Sequence, residues 1–333
     1  MEGQIKRITI KRVLQYLLLL IIALLLIYFS FRGVDWEEFK KGMSECNWWW
    51  IGLSMVIGGL EFWVRAIRWR LLLDQVHSPN KTLNDYRGVT IGNLSNFAIP
   101  RIGEIVRCSV VSTTDRLPFE AGVGTVIVER GWDLMCLLIL TATMFLTENR
   151  FGNFIKTQIL DKIESSSLSS IKWLVILFVV VVIIVTIFIL IKSNSKGSKL
   201  HSIFSRFKGG IFSVFKMRRK WFFFLLTAIL WGSFLLTSKL TILAFNDLSA
   251  LNWNDALFLM IVGGLGWAVP VQAGIGAYHF IVSLALVNVY GVSQSEGLAF
   301  ATISHSSQAI VMIILGVISL IGYTFQKRKL LKE

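Results

Sequence analysis

The sequence predicts an all-α, polytopic membrane protein with about six spanning helices plus two re-entrant helical hairpins related as an inverted repeat. Three observations lead there. Mean hydropathy is +0.65 and 54% of the 333 residues are hydrophobic, well beyond a soluble domain. Long apolar runs alternate with short loops, several of them rich in Lys and Arg. The stretch from Gly92 to Arg107 lies inside membrane-grade sequence yet carries Pro100, two glycines and three charges, a set that a lipid-facing helix does not tolerate but a broken helix around a polar site does.

Length allows roughly six to ten crossings, in a single integral membrane domain over residues 1–333. The net charge of +14 would suggest nucleic acid in a soluble protein. Here the basic residues sit in short loops beside apolar runs, which fits the positive-inside rule and anionic lipid headgroups instead. Cys46, Cys108 and Cys136 form no CxxC pair or disulfide framework and read as small apolar fillers. There is no HExxH, Cys/His metal spacing, GxSxG elbow, Walker loop or Rossmann fingerprint, so the reading includes no metal, no cofactor and no catalytic motif.

In chain order, Lys6, Arg7, Lys11 and Arg12 precede an apolar run from Val13 to Phe31. This predicts a retained first helix with a cytoplasmic N-terminus rather than a cleaved signal. Arg32 to Asn47 is a mixed-charge external loop. Trp48, Trp49 and Trp50 anchor a second helix running to about Leu73. Pro100 interrupts the next apolar segment, residues 86–111. Each half is about 14 residues, or about 20 Å of helix, too short for a hydrocarbon core of about 30 Å. A re-entrant hairpin buried in protein solves that problem. Phe119 to Leu146 is a spanning helix with Glu129, Arg130 and Asp133 among apolar neighbours. Glu148 to Ser170 reads as an external loop, Ile171 to Ile191 as a spanning helix, and 192–220 as a basic cytoplasmic loop. Trp221 to Phe245 spans outward, with Lys239 snorkelling at its end. Residues 255–290 are again too broken for one helix, with Pro270 among glycines. Ser295 to Phe325 closes the chain, followed by a basic cytoplasmic C-terminus.

The two broken segments correspond. Asn84-Asp85 precedes Pro100 and Asn254-Asp255 precedes Pro270 at the same separation, and these are two of only four prolines. Repeat 1 therefore covers about 48–147 and repeat 2 about 221–325. Charge places the first hairpin entry on the cytoplasmic side and the second outside, the arrangement of an inverted-topology repeat with a site at mid-membrane. Two ordinary kinked helices are the alternative.

Three motifs carry a resemblance. Asn96-x-x-x-Pro100-Arg101-x-Gly103-Glu104-x-x-Arg107, then Glu129-Arg130-x-x-Asp133, then Pro270-x-x-x-Gly274-Ile275-Gly276, together resemble the lysylphosphatidylglycerol synthase transmembrane-region family. That is the flippase-like membrane part of bacterial aminoacyl-phosphatidylglycerol synthases, also found as a stand-alone protein. The resemblance implies a bacterial cytoplasmic-membrane location and lipid translocation or lipid binding. The chain departs from it in having His279 and His305 where the family often has Glu and Arg. No aminoacyl-transferase domain follows the last helix, which argues against an enzyme and against tRNA-dependent synthesis by this chain.

The candidate site gathers Asn96, Pro100, Arg101, Glu104, Arg107, Glu129, Arg130, Asp133, Pro270, Gly274, Gly276, His279 and His305. Charged groups at mid-membrane must neutralise one another. Arg101, Glu104 and Arg107 are spaced to share a helix face. The planar guanidinium forks of Arg101, Arg107 and Arg130 suit a headgroup phosphate. The two histidines suit a proton-coupled cycle. The readings left open are a flippase for an anionic phospholipid or polyprenyl-phosphate-type amphiphile, an intramembrane lipid-modifying enzyme or its accessory subunit using Glu104, Glu129 and Asp133, and a lipid-binding scaffold. The expected partners are anionic membrane lipids, with a second copy of the chain or a lipid-synthesis enzyme as further candidates, and no nucleic acid.

Overall fold

The structure is a computed structural model and describes residues 20–76, 81–147 and 213–330. The expected external loop after Glu148, the helix from Ile171 to Ile191, most of the basic 192–220 loop and the start of the first helix lie outside the described residues. What is described is all helix, turn and loop. In order, the helices are α1 (Leu20–Phe31), α2 (Trp36–Ser44), α3 (Trp48–Leu73), α4 (Thr82–Ala98), α5 (Gly103–Asp115), α6 (Phe119–Thr147), α7 (Lys220–Leu243), α8 (Trp253–Ala268), α9 (Ala277–Tyr290) and α10 (Gln294–Leu330). Short 3-10 turns, Asn246–Leu248 and Gln272–Gly274, lie before and after α8.

Helices α3, α7 and α10 are long and apolar enough to cross a membrane. Residues Gln272–Tyr290 meet the same length and hydropathy measure, but only by joining a 3-10 turn to α9. With Ala273, Gly274 and Gly276 all at positive φ, that stretch is not one rod. By itself α9 has 14 residues, about 21 Å at 1.5 Å per residue, short of a crossing. The chain is thus a multi-pass membrane protein whose long helices accompany two pairs of short ones.

The chain divides into two compact units, one made of residues 1–126 and 221–333 and the other of residues 127–220. The boundary falls inside α6. In the first unit α10 is the spine. Near its start, Gln294 donates to the Arg32 carbonyl at 2.9 Å and the Asp35 N–H donates to Ser295 Oγ at 2.9 Å. Asp35 also caps α2, which the sequence reads as loop, by accepting from Glu37 N at 2.8 Å and Glu38 N at 3.2 Å. Further along, a Cβ on Gly59 would touch Val311 and Leu315, and one on Gly316 would lie 2.6 Å from Leu94 Cβ. Near its end, Arg87 of α4 donates to Gln326. Helices α3 and α4 therefore lie against successive stretches of one rod.

Two antiparallel hairpins, α4–α5 and α8–α9, follow one recipe. Each is stapled at its open base and broken at its tip. Asn84 donates to Asp115 across the base of the first, and Lys81 N–H donates to Asp115 Oδ2 at 3.2 Å. Tyr290 O–H donates to Asp255 Oδ1 at 3.0 Å across the base of the second, while Asp255 Oδ2 closes a capping box with Asn252 N at 2.8 Å. The bases sit at opposite ends of α10. Arg87, near the first base, meets Gln326, whereas Tyr290 leads within four residues into Gln294. The tips approach each other, since Arg101 of the first tip donates to the Ala268 carbonyl of the second. Helix α1 covers the second tip, with Ala23 in a small core with Val271 and Ala277. Lys239 of α7 donates to the Leu251 carbonyl and so fixes the loop before α8 rather than reaching freely for solvent.

One expectation is corrected. Arg101 does not share a helical face with Glu104, because α5 begins only at Gly103. Arg101 has φ 65°, and helical spacing carries no meaning across such a turn.

Candidate functional site

The first tip is a four-residue turn. Ile102 N–H donates to the Ile99 carbonyl at 3.3 Å, closing Ile99-Pro100-Arg101-Ile102. Proline fixes φ at the second turn position, and the third needs positive φ, usually supplied by glycine or asparagine. Here Arg101 occupies it, in the left-handed region that costs an ordinary residue about 1–2 kcal/mol. Residues held that way concentrate at functional sites. Asn96 pins the far side of the turn by accepting from Gly103 N–H at 2.8 Å. Glycine is required here because a Cβ on Gly92 would lie 2.6 Å from the Gly103 carbonyl oxygen.

Arg101 is exposed and reaches the last carbonyls of α8. These carry the negative end of that helix dipole and lack helical partners. Arg107 has the opposite setting. It is 3% exposed, pairs with Glu104 at 3.3 Å and stacks its guanidinium 4.0 Å from the Trp69 ring centroid. Trp69 is in turn fixed by donating Nε1–H to Thr125 Oγ1 at 2.9 Å. Sequence spacing identified the Glu104–Arg107 pair. Trp69 escaped it, because a contact between α3 and α5 leaves no local signature.

The second tip is built from Pro270, Gln272, Ala273, Gly274 and Gly276. Val271 N–H donates to the Val269 carbonyl at 2.8 Å, a tight turn about Pro270. Gly274 and Gly276 hold φ of 73° and 82°, and a Cβ on Gly276 would lie 2.7 Å from the Ala23 carbonyl of α1. Both requirements exclude a side chain. The buried His305 places Nε2 2.9 Å from the Ala273 carbonyl. A carbonyl only accepts, so Nε2 carries the hydrogen. Trp267 stacks on His305 at 4.7 Å between centroids, and His279 lies 4.9 Å from it. Tyr278 O–H and Ser304 Oγ are 2.7 Å apart. Among the described residues, the buried His279 Nδ1 and the Gln272 Oε1 have no hydrogen-bond partner. Trp267, Gln272, Tyr278 and Ser304 were not anticipated. The visible signal was two aromatics and an amide inside a Gly/Pro-rich break.

In the second unit, Arg130 of α6 pairs with Glu129 at 3.7 Å and with Asp133 at 3.4 Å, and Glu129 is fully buried. Within its own element, Arg130 pairs with two acids on α6 and Arg107 with Glu104 on α5, while Arg101 reaches the second tip.

Membrane-length helices around paired, tip-to-tip broken hairpins define an all-α polytopic membrane protein. The chain belongs to the lysylphosphatidylglycerol synthase TM region family, whose model matches residues 16–316. That family places it among membrane proteins of lipid handling. No curated protein and no solved structure matches the chain.

Proposed function

We propose that the protein is a flippase for an anionic, phosphate-bearing amphiphile, a phospholipid or polyprenyl-phosphate type, in the cytoplasmic membrane. On this reading the two hairpins are re-entrant from opposite faces of the membrane and related as an inverted repeat. The headgroup passes where their tips meet.

The observation that carries the reading is the setting of Arg101. It is a strained, exposed cation at one tip, bonded among the described residues to a backbone carbonyl at the other. A phosphate is a stronger partner for a guanidinium than a neutral carbonyl, because both bonds of the planar fork become charge-assisted. The N-termini of α5 and α9 open at the same two breaks, and their dipoles favour negative charge there. Exchange of Arg101 from Ala268 to a headgroup phosphate would release one tip from the other as the lipid arrives.

The test is leaflet exchange of labelled lipids by purified protein in liposomes, across a panel of anionic and zwitterionic headgroups. Exchange above protein-free vesicles is expected for anionic lipids, falling at least about tenfold in Arg101→Gln and partly restored in Arg101→Lys, consistent with a lost charged hydrogen bond of about 1.5–3 kcal/mol. No exchange for any anionic lipid sinks the proposal. Covalently altered lipid recovered from the vesicles would favour a lipid-modifying enzyme.

A further inference from the structure

The two hairpin bases are built alike, but their aspartates differ. Asp255 is satisfied on both oxygens, by Asn252 N–H and by Tyr290 O–H. Asp85 also lies in the first turn of α4 and is 0% exposed, yet among the described residues neither Oδ1 nor Oδ2 has a hydrogen-bond partner. Its charged neighbours are Asp115 and Arg107 on α5 and Arg70 and Asp74 at the end of α3. Both arginines are engaged elsewhere. Arg70 donates to Thr82 Oγ1 at 2.8 Å and lies 3.8 Å from Asp74, and Arg107 is committed to Glu104 and the Trp69 face. Asp115 accepts from Asn84 and Lys81 and stands as a like charge beside Asp85. On the α10 side of this end of α4 the neighbours are Gly322 and Gln326, which meet Arg87. An ionised carboxylate without a hydrogen bond or a dedicated cation is untenable in such a place.

We propose that Asp85 is a proton-binding site, holding its carboxyl as the neutral acid while the base of the first hairpin is closed and releasing the proton when that base opens. Opening would expose Asp85 to water and to Arg70, both of which favour the ion. The base lies outside the spanning helices, among Asp74, Lys81 and Asp115, so the proton exchanges with the adjacent aqueous phase. Burial, with Asp115 second, pushes Asp85 up to about 8. The folded protein then keeps a proton that the unfolded chain loses near pH 4. The contribution to stability is full below that value and is lost as pH rises through about 8.

The site is independent of which amphiphile moves, and its test does not require transport. Infrared titration of the full-length protein in lipid nanodiscs, from pH 5 to 9, reads the carboxyl directly. A protonated-carboxyl band is expected at pH 7 in the wild type, fading as pH rises through about 8. The band should be smaller in Asp85→Asn, whose amide imitates the neutral acid and should fold. In Asp115→Asn, with one repelling charge removed, the band should fade at lower pH. Thermal midpoints should rise on acidification from pH 8 to pH 5 more in the wild type than in Asp85→Asn. A band that is absent in the wild type, is undiminished in Asp85→Asn or ignores Asp115→Asn overturns the assignment.

Discussion

Arg101 and Arg107 lie six positions apart and have opposite roles, a difference set by burial and partner. Arg107 is 3% exposed and has an acid and an indole as partners, so its charge is already spent inside the fold. Replacing it removes one charged partner of Glu104 and strips the face of Trp69. Arg107→Gln is expected to cost about 2–3 kcal/mol of stability, below the range for a fully buried pair because the Glu104 side chain is 40% exposed. Exchange per folded molecule should change little. A lowered thermal midpoint with retained headgroup selectivity checks this, and a selectivity change with full stability contradicts it. Spacing on one helix was enough to pair Glu104 with Arg107, because the i,i+3 rule is local. The same rule misled at Arg101, because no feature of Pro100-Arg101-Ile102-Gly103 announces that the arginine rather than a glycine takes the left-handed position. The glycines that were visible proved less informative one by one. Gly103 starts a helix and passes the Gly92 carbonyl, whereas Gly274 and Gly276 supply positive φ.

At the scale of elements, the breaks were legible and the packing was not. Proline beside glycine within apolar sequence forces two short helices in place of one long one, and the halves came out at 17 and 13 residues in the first hairpin and 16 and 14 in the second. The matching Asn-Asp pairs mark the two hairpin bases, one through Asn84 and Asp115 and the other through Asp255 and Tyr290. Nothing in the α10 sequence says which of its small residues meets which hairpin. That depends on contacts more than 200 positions apart, such as Leu94 with Gly316 and Arg87 with Gln326. Gly316 is where α4 comes closest, with the Thr90 carbonyl 3.1 Å and Leu94 Cβ 2.6 Å from where a Cβ would stand. Small residues at helix crossings let backbones approach within a membrane. Gly316→Leu is therefore expected to push α4 off the spine and cost about 1–3 kcal/mol, read as a fall in thermal midpoint. Gly264→Leu, where a Cβ meets nothing within 4 Å, is the control that should leave the midpoint near wild type.

At the scale of the whole molecule, the proposed transport route depends on the two hairpin bases facing opposite sides of one membrane. The first unit supplies the physical reason to expect that. Helix α10 has 37 residues, about 55 Å at 1.5 Å per residue, longer than a bilayer of about 40–45 Å including headgroups. The first hairpin reaches its Gln326 end and the second leaves from its Gln294 end. The apolar middle of α10 is bounded by Glu296 on one side and Lys327, Arg328 and Lys329 on the other, so both ends must be wet, and the proposed orientation puts the basic end in the cytoplasm. On that proposed orientation Asp85 and Asp115 face the cytoplasm, and Asp255 and Tyr290 face outward. Single cysteines at the exposed Leu83 and Trp253 positions, beside the two bases, report this directly. Native Cys46 stays quiet in such labelling, since it is 5% exposed and burial pushes its thiol up to about 11, leaving little thiolate at pH 8. A membrane-impermeant maleimide added outside intact cells is expected to label Trp253→Cys and to spare Leu83→Cys until the membrane is opened. Labelling of both from one side would mean that the hairpins share a face, and the meeting of Arg101 with Ala268 could not then serve as a passage between leaflets.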